Sequence, residues 1–268
     1  MSPNNMNNPA TVQEQYSTGN NLNTRRSIHD KYSTNPMGFG NWIHQQYHFF
    51  DGCRILELGC GTGNAWVGKL TQIGNGSTLV LSDLSQGMVQ EVKRRFSGDT
   101  KISFEQINFE QINIEDIPYD NDTFDFVIAN MMLHHVPDLN KGLWEVGRVL
   151  KAGGTFYGAT FGENGIQAYL TQTLSQYGIR IDINGVFTLQ NGNGILKKYF
   201  NRVNKTEYID SLEVTDTNDL LDYIYSMTSI GDLEDVKRKE LFQCFEAKKD
   251  KNGILPIPKE YGMFIAMK

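Results

Sequence analysis

A doubly wound, mostly parallel α/β sheet is predicted by three features of this chain. Short apolar runs recur at residues 54–58, 78–82, 102–107, 124–129 and 154–160. Segments with helical spacing lie between them. The first run ends in a cluster of glycines, which a sharp strand-to-helix turn needs. Continuous apolar strands alternating with helices belong to sheets covered on both faces.

The chain opens on residues 1–24, which are rich in Asn, Ser, Thr and Gly and have neither a helical nor a strand period, so a mobile tail is expected. That stretch has no apolar core, which sets aside a secretory leader. Residues 25–53 are expected to form a helical segment, broken around Asn35-Pro36 and Gly38. From residue 54 to 268 a single catalytic domain is expected. Residues 65–73 read as its first helix and Asn75-Gly76 as a turn. In 85–96, Met88, Val89, Val92 and Phe96 share one helical face, with Ser85 as the N-cap.

The third strand is placed at 102–107, beside an immediate repeat in which Phe104-Glu-Gln-Ile-Asn108 recurs as Phe109-Glu-Gln-Ile-Asn113. Leu139, Leu143, Val146 and Val149-Leu150 form a helical stripe. Further helices are read at 166–177 and 216–227, a loop at 184–194, and a solvated charged helix within 234–251. Residues 262–267 close the chain as an apolar strand that can lie antiparallel in the sheet.

Composition excludes several classes. The 268 residues are 39 % hydrophobic and 11 % aromatic, enough for a substantial core. The formal net charge of −6 argues against a sequence-independent nucleic-acid binder. No apolar run approaches the roughly 20 residues of a membrane-spanning helix. Cys53, Cys60 and Cys244 have no metal-type spacing and read as free thiols of a reducing, cytoplasmic setting. No metal site is expected, and oligomeric state is left open.

The chemistry concentrates in Glu57-Leu-Gly-Cys-Gly-Thr-Gly63, between the first strand and the first expected helix. Glycines there let the backbone approach a ligand, and a helix start adds free N–H donors. Asp83 stands 20 residues after Gly63 at the end of the second apolar run, where a carboxylate can accept both hydroxyls of a ribose. A tight turn beside an exposed Asp explains either feature alone, but less readily both in register. The dinucleotide fingerprint requires a glycine at position 64, which is Asn here, so a nucleoside cofactor without a pyrophosphate fits better.

This loop resembles motif I of class I S-adenosylmethionine (SAM)-dependent methyltransferases. The resemblance runs through residues 54–160 in order: Ser82-Asp-Leu-Ser85 with Met88, Asn113-Ile-Glu-Asp-Ile-Pro-Tyr119, Phe124 to Asp138, and Arg148-Val-Leu-Lys-Ala-Gly-Gly154. In style it is similar to the small-molecule enzymes of quinone biosynthesis. It implies a Rossmann-like sheet of seven strands with an antiparallel C-terminal strand. It also implies roles for SAM binding. Gly59, Cys60 and Gly61 approach the methionine part, Glu57 orients its ammonium, and the Asn130 backbone carbonyl faces that ammonium. Asp83 takes the ribose hydroxyls. Leu84 and Met88 pack on the adenine, whose edge is read by Asn113 and the Ile114 N–H.

The chain departs from the family where Asn113 replaces the usual Asp, and the repeat makes Asn108 a rival for that position. Ala152 replaces a usual Pro. In the family, N-terminal segments fold over the cofactor, which makes Tyr32 a lid candidate. His134 and His135, at the end of the fourth strand, are the candidates for a general base, with plain packing as the competing explanation. The expected reaction is in-line methyl transfer to a small organic acceptor. An RNA or protein methyltransferase and a catalytically silent SAM-binding partner are the alternatives.

Overall fold

The computed structural model describes residues 20–97, 106–179, 181, 184–227 and 238–268. Two N-terminal helices, α1 (Asn20–Tyr32) and α2 (Phe39–Gln46), precede the sheet. The strands are β1 (Arg54–Leu58), β2 (Thr78–Asp83), β3 (Ile107–Gln111), β4 (Phe124–Ile128), β5 (Leu150–Phe161), β6 (Arg202–Val214) and β7 (Leu255–Met267). Between them lie α3 (Gln86–Phe96), α4 (Leu139–Val149), α5 (Ile166–Leu174), α6 (Gly192–Leu196), α7 (Thr217–Tyr225) and α8 (Arg238–Glu246).

One seven-stranded sheet results, in the order β3-β2-β1-β4-β5-β7-β6. β1 to β5 pair in parallel, and β7 runs antiparallel between β5 and β6. Successive strand residues feed opposite layers, as the two-residue period of a strand requires. Leu56, Val80 and Val127 join α4 on one face, while Ile55, Leu79 and Phe126 join α2 and α3 on the other. The order reverses between β1 and β4, the place where open α/β sheets hold ligands outside their carboxyl ends.

The β6–β7 pair is matched over 13 positions, yet β5 pairs with β7 only from Tyr261 to Met267. The overhang carries its own apolar cluster. Leu212, Val214, Leu255 and Ile257 pack there with Ile28 of α1, Leu170 of α5, Leu220 and Ile224 of α7 and Leu241 and Phe245 of α8.

Several expectations are corrected. Helix α1 already begins at Asn20, inside the stretch expected to be a mobile tail; residues 1–19 lie outside the described residues. The helix expected at 65–73 is two short 3₁₀ turns, Asn64–Trp66 and Leu70–Gln72, separated by Gly68 at φ +68°. The third strand is Ile107–Gln111, not 102–107, because Ile107 pairs with Leu79; residues 102–105 lie outside the described ones. Residues 192–196, expected in a loop, form α6. Within 234–251, α8 is not simply a solvated helix, since Leu241 and Phe245 are fully buried; residues 234–237 are outside the described set.

Candidate active site

A cleft of about 710 Å³ opens at the carboxyl edge of β1, β2 and β4. That volume falls in the range of small-molecule sites. The turn after β1 forms its floor, with Gly59, Gly61 and Gly63 at φ +70°, +55° and +71°. At Gly59 a Cβ would lie 2.8 Å from Met132 Cγ, so a side chain is barred by both backbone and space. Gly63 abuts Val92 and Phe96 of α3. Glycine therefore lets this turn stay thin between α3 and the loop after β4.

Asp83 ends β2. Its Oδ2 accepts the Gly61 N–H and its Oδ1 the Ser85 N–H, each at 2.9 Å. Burial raises its pKa, and the two backbone bonds oppose that rise. The carboxylate is thus fixed across the glycine turn, facing the cleft. Ser85 caps α3 by accepting from the Met88 N–H.

Glu57 is 2 % exposed at the end of β1 and lines the cleft. Its Oε2 accepts the Trp66 indole N–H, and its Oε1 accepts from Asn130 Nδ2 at 3.4 Å. Asn130 Nδ2 also donates to the Tyr47 hydroxyl at 2.8 Å. Burial raises the Glu57 pKa to about 7, outweighing these donors. Asn130 Oδ1 is buried and has no hydrogen-bond partner among the described residues. A buried carboxylate beside an orphaned acceptor suits a cationic ligand group. Met131 follows at φ +55°, and its N–H donates to Ala159 O at 2.8 Å, so β5 fixes this turn.

Leu84, Met88, Ile112, Asn113 and Ile114 form the other end of the cleft. Asn113 lies in the cleft wall, whereas Asn108 is paired inside β3 opposite Val80. The repeat is thereby placed in register. Asn113 Oδ1 accepts the Glu115 N–H at 3.0 Å, a local turn that orients the amide. Cys60 also lines the cleft; burial raises its thiol pKa well above the usual value.

Two expected site residues lie elsewhere. Tyr32 is outside the cleft: its hydroxyl donates to Asp219 at 2.6 Å, and its ring packs on the overhang cluster. This correction follows from α1 turning its Ile28 and Tyr32 face toward α7. His134 is buried in the Leu133–His135 turn, its ring 4.8 Å from Phe161, and its carbonyl accepts from Asn184. Burial and then His135 depress its pKa strongly, so it is neutral. His135, 4.1 Å away between ring centroids, lines the cleft.

Sequence reasoning missed Trp66, Tyr47 and the far wall of the cleft, which includes His29, Phe39, Lys259 and Tyr261. The Trp66 link to Glu57 spans only nine residues. An apolar-face aromatic after a glycine turn gives a weak signal for it.

Residues 56–158 match a family model described as a methyltransferase domain. The match begins in β1 and ends in β5, so it contains the glycine turn, Asp83 and Asn130. Residues 56–158 are thus similar to methyltransferase domains. The chain is 37 % identical over 103 residues to a demethylmenaquinone methyltransferase of Clavibacter sepedonicus, covering 38 % of this chain and 39 % of that protein. It is 33 % identical over 105 residues to the ubiquinone/menaquinone biosynthesis C-methyltransferase UbiE of Rickettsia prowazekii, covering 38 % and 42 %. The chain thus spans about two-fifths of the length of these curated relatives. Among solved structures, the YcgJ protein of Bacillus subtilis superposes with a TM-score of 0.59 at 17 % identity, over 85 % of this chain and 97 % of that one. The [4+2]-cyclase SpnF gives 0.60 at 15 % identity over 97 % and 96 %. These likenesses extend the Rossmann-like fold beyond residues 56–158 to most of the chain. They carry no activity, since one fold hosts several chemistries.

Proposed function

We propose that this chain binds SAM in the cleft and transfers its methyl group to a small organic acceptor. The observation that carries the reading is the alignment of three features on one carboxyl edge: the Gly59–Gly61 turn, Asp83 fixed across it, and the buried Glu57–Asn130 pair. The residues fit the cofactor. Asp83 can exchange its backbone donors for ribose hydroxyls, the orphaned Asn130 Oδ1 can accept from an ammonium, and Leu84 and Met88 offer an apolar face for a purine. When bound, SAM supplies a methyl on a sulfonium leaving group.

The chain's own task is to hold an acceptor in line and to exclude water. Helices α1 and α2 cover the cleft, with Ile43 and Phe39 in its lining. His135, which lines the cleft, is our candidate for taking a proton from an acceptor hydroxyl, a role that the buried His134 does not suit. The quinone-biosynthesis relatives support a small-molecule acceptor. Thermal shift with SAM, S-adenosylhomocysteine and NAD tests the reading, because a ligand that binds only the folded state raises its stability. A rise with the first two and none with NAD is expected. No rise with SAM overturns it.

A further inference from the structure

Glu57 is the buried carboxyl of the cleft, and the groups behind it decide how it is held. Trp66 ends the first 3₁₀ turn after the glycines, is 1 % exposed and stands behind the cleft lining. Its indole N–H reaches back nine residues to Glu57 Oε2. The indole is itself gripped from α2 and the residues after it. His44 stands edge-on to it, 5.0 Å away between centroids, and His44 Nε2 lies 2.6 Å from the Ala65 carbonyl oxygen. The Tyr47 and Phe49 rings stack alongside at 6.4 and 6.3 Å.

The other Glu57 oxygen is held far more loosely. Among the described residues, Oε1 meets the Asn130 amide at 3.4 Å, long for an N–H···O bond. A carboxylate needs a donor, so Asn130 turns Nδ2 toward it, and the same Nδ2 bonds the Tyr47 hydroxyl. Asn130 Oδ1 is left buried without a partner among the described residues. Glu57 and Asn130 both line the cleft. Two under-satisfied acceptors thus belong to one pair of touching side chains. A buried indole N–H is satisfied by any carbonyl oxygen, so packing alone does not call for a carboxyl that burial penalises.

We propose that Trp66 is a positioning residue for the cofactor: its indole N–H pins one oxygen of Glu57, so that the other, together with Asn130 Oδ1, is presented to the ammonium of SAM. This rests on the methyltransferase reading above. Because Trp66 acts through Glu57, it governs how readily that carboxyl ionises as well as where it points. The groups around Glu57 leave this control to the indole. Burial pushes the Tyr47 phenol and the Cys60 thiol up and the His44 imidazole down, which favours the neutral form of all three. Asp83 is the charged group that faces Glu57, and it is the same in every variant below.

Calorimetry with S-adenosylhomocysteine on the full chain, repeated from pH 6 to 8, is the test. Wild-type binding should follow Glu57 ionisation, with a midpoint at about 7. Trp66→Phe keeps a ring and removes the donor, and loss of one hydrogen bond to a carboxylate moves the midpoint up by about one pH unit. The variant should then bind about tenfold more weakly than wild type at pH 6, about fivefold at pH 7 and about twofold at pH 8. A merely structural role would give one factor at every pH. In a Glu57→Gln background, Trp66→Phe should change affinity by one factor throughout. The cofactor-free protein gives a second reading by denaturant unfolding. Between pH 7 and 8, Trp66→Phe should lose stability relative to wild type, because its Glu57 still ionises there. Replacing tryptophan throughout by its benzothienyl isostere, which keeps the shape and lacks the N–H, repeats the comparison if Trp66→Phe does not fold. An affinity ratio constant from pH 6 to 8, or one that narrows equally without the Glu57 carboxyl, overturns the inference while wild type still binds S-adenosylhomocysteine. Failure of the wild type to bind it overturns the methyltransferase reading itself, and this inference with it.

Discussion

With SAM bound as proposed, the buried Glu57 carboxyl should tie cofactor affinity to pH. Its pKa is raised from 4.5 to about 7 by burial. A cationic ammonium beside it needs the carboxylate form. At pH 6 about one-tenth of the free protein has Glu57 ionised, and at pH 8 about nine-tenths, so the apparent Kd should be about tenfold weaker at pH 6. Near pH 7, binding should release about half a proton. Isothermal titration with S-adenosylhomocysteine, which keeps the ammonium, reads both quantities when repeated in buffers of different ionisation enthalpy. Glu57→Gln should bind about tenfold or more weakly at pH 8 and lose the pH dependence. The same group acts on stability. Its folded pKa is raised above the unfolded value, so the free protein loses stability as pH rises from about 4.5 through 7. Glu57→Gln should therefore gain on wild type over that window. An affinity flat from pH 6 to 8 would refute the placement of an ammonium at Glu57.

Further expectations concern turn, base and wall. Gly59→Ala should cost about 1–3 kcal/mol in chemical denaturation and weaken S-adenosylhomocysteine binding. Adding Met132→Ala should recover only the steric part, since φ +70° remains. His135→Ala should lower kcat with a hydroxyl acceptor by about 10²–10⁴-fold, while His134→Ala should lower Tm and leave turnover closer to wild type; equal effects on kcat would remove the distinction. Asp210→Ala leaves Lys259 buried without its partner and should destabilise by about 3–5 kcal/mol. Asp210→Ala with Lys259→Met should recover much of that loss in the same denaturation assay.

How legible the protein was depends on where each element sits. β1, β2, β4 and the end of β5 are buried on both faces, and such strands announce themselves as unbroken apolar runs. β6 gave no such signal. It is an edge strand whose exposed positions include Arg202, Asn204, Lys205 and Glu207, so its sequence looks like loop. β3 was displaced because the two copies of Phe-Glu-Gln-Ile-Asn have the same local pattern, and only pairing with β2 chooses between them. The 65–73 segment lost its helix to Gly68 and to the pull of Trp66 toward Glu57. Within the site, residues next to the glycine turn were readable because spacing along the chain fixes them. The far wall was not, since His29 meets Tyr261 across 232 residues and Asp210 meets Lys259 across 49. No local pattern encodes such contacts. His134 and His135 looked alike in sequence, and a single 3₁₀ turn separates their fates.

The central claim is methyl transfer through this cleft, and transfer of a labelled methyl group tests it most directly. The full chain is incubated with labelled SAM and a small-acceptor set, with bulk RNA in parallel and Asp83→Ala as control. Label should appear in a small molecule, saturate with SAM at a KM between about 1 μM and 1 mM, and fall sharply in the variant. Label in RNA alone, label in neither pool, or transfer unaffected by Asp83→Ala would contradict the claim.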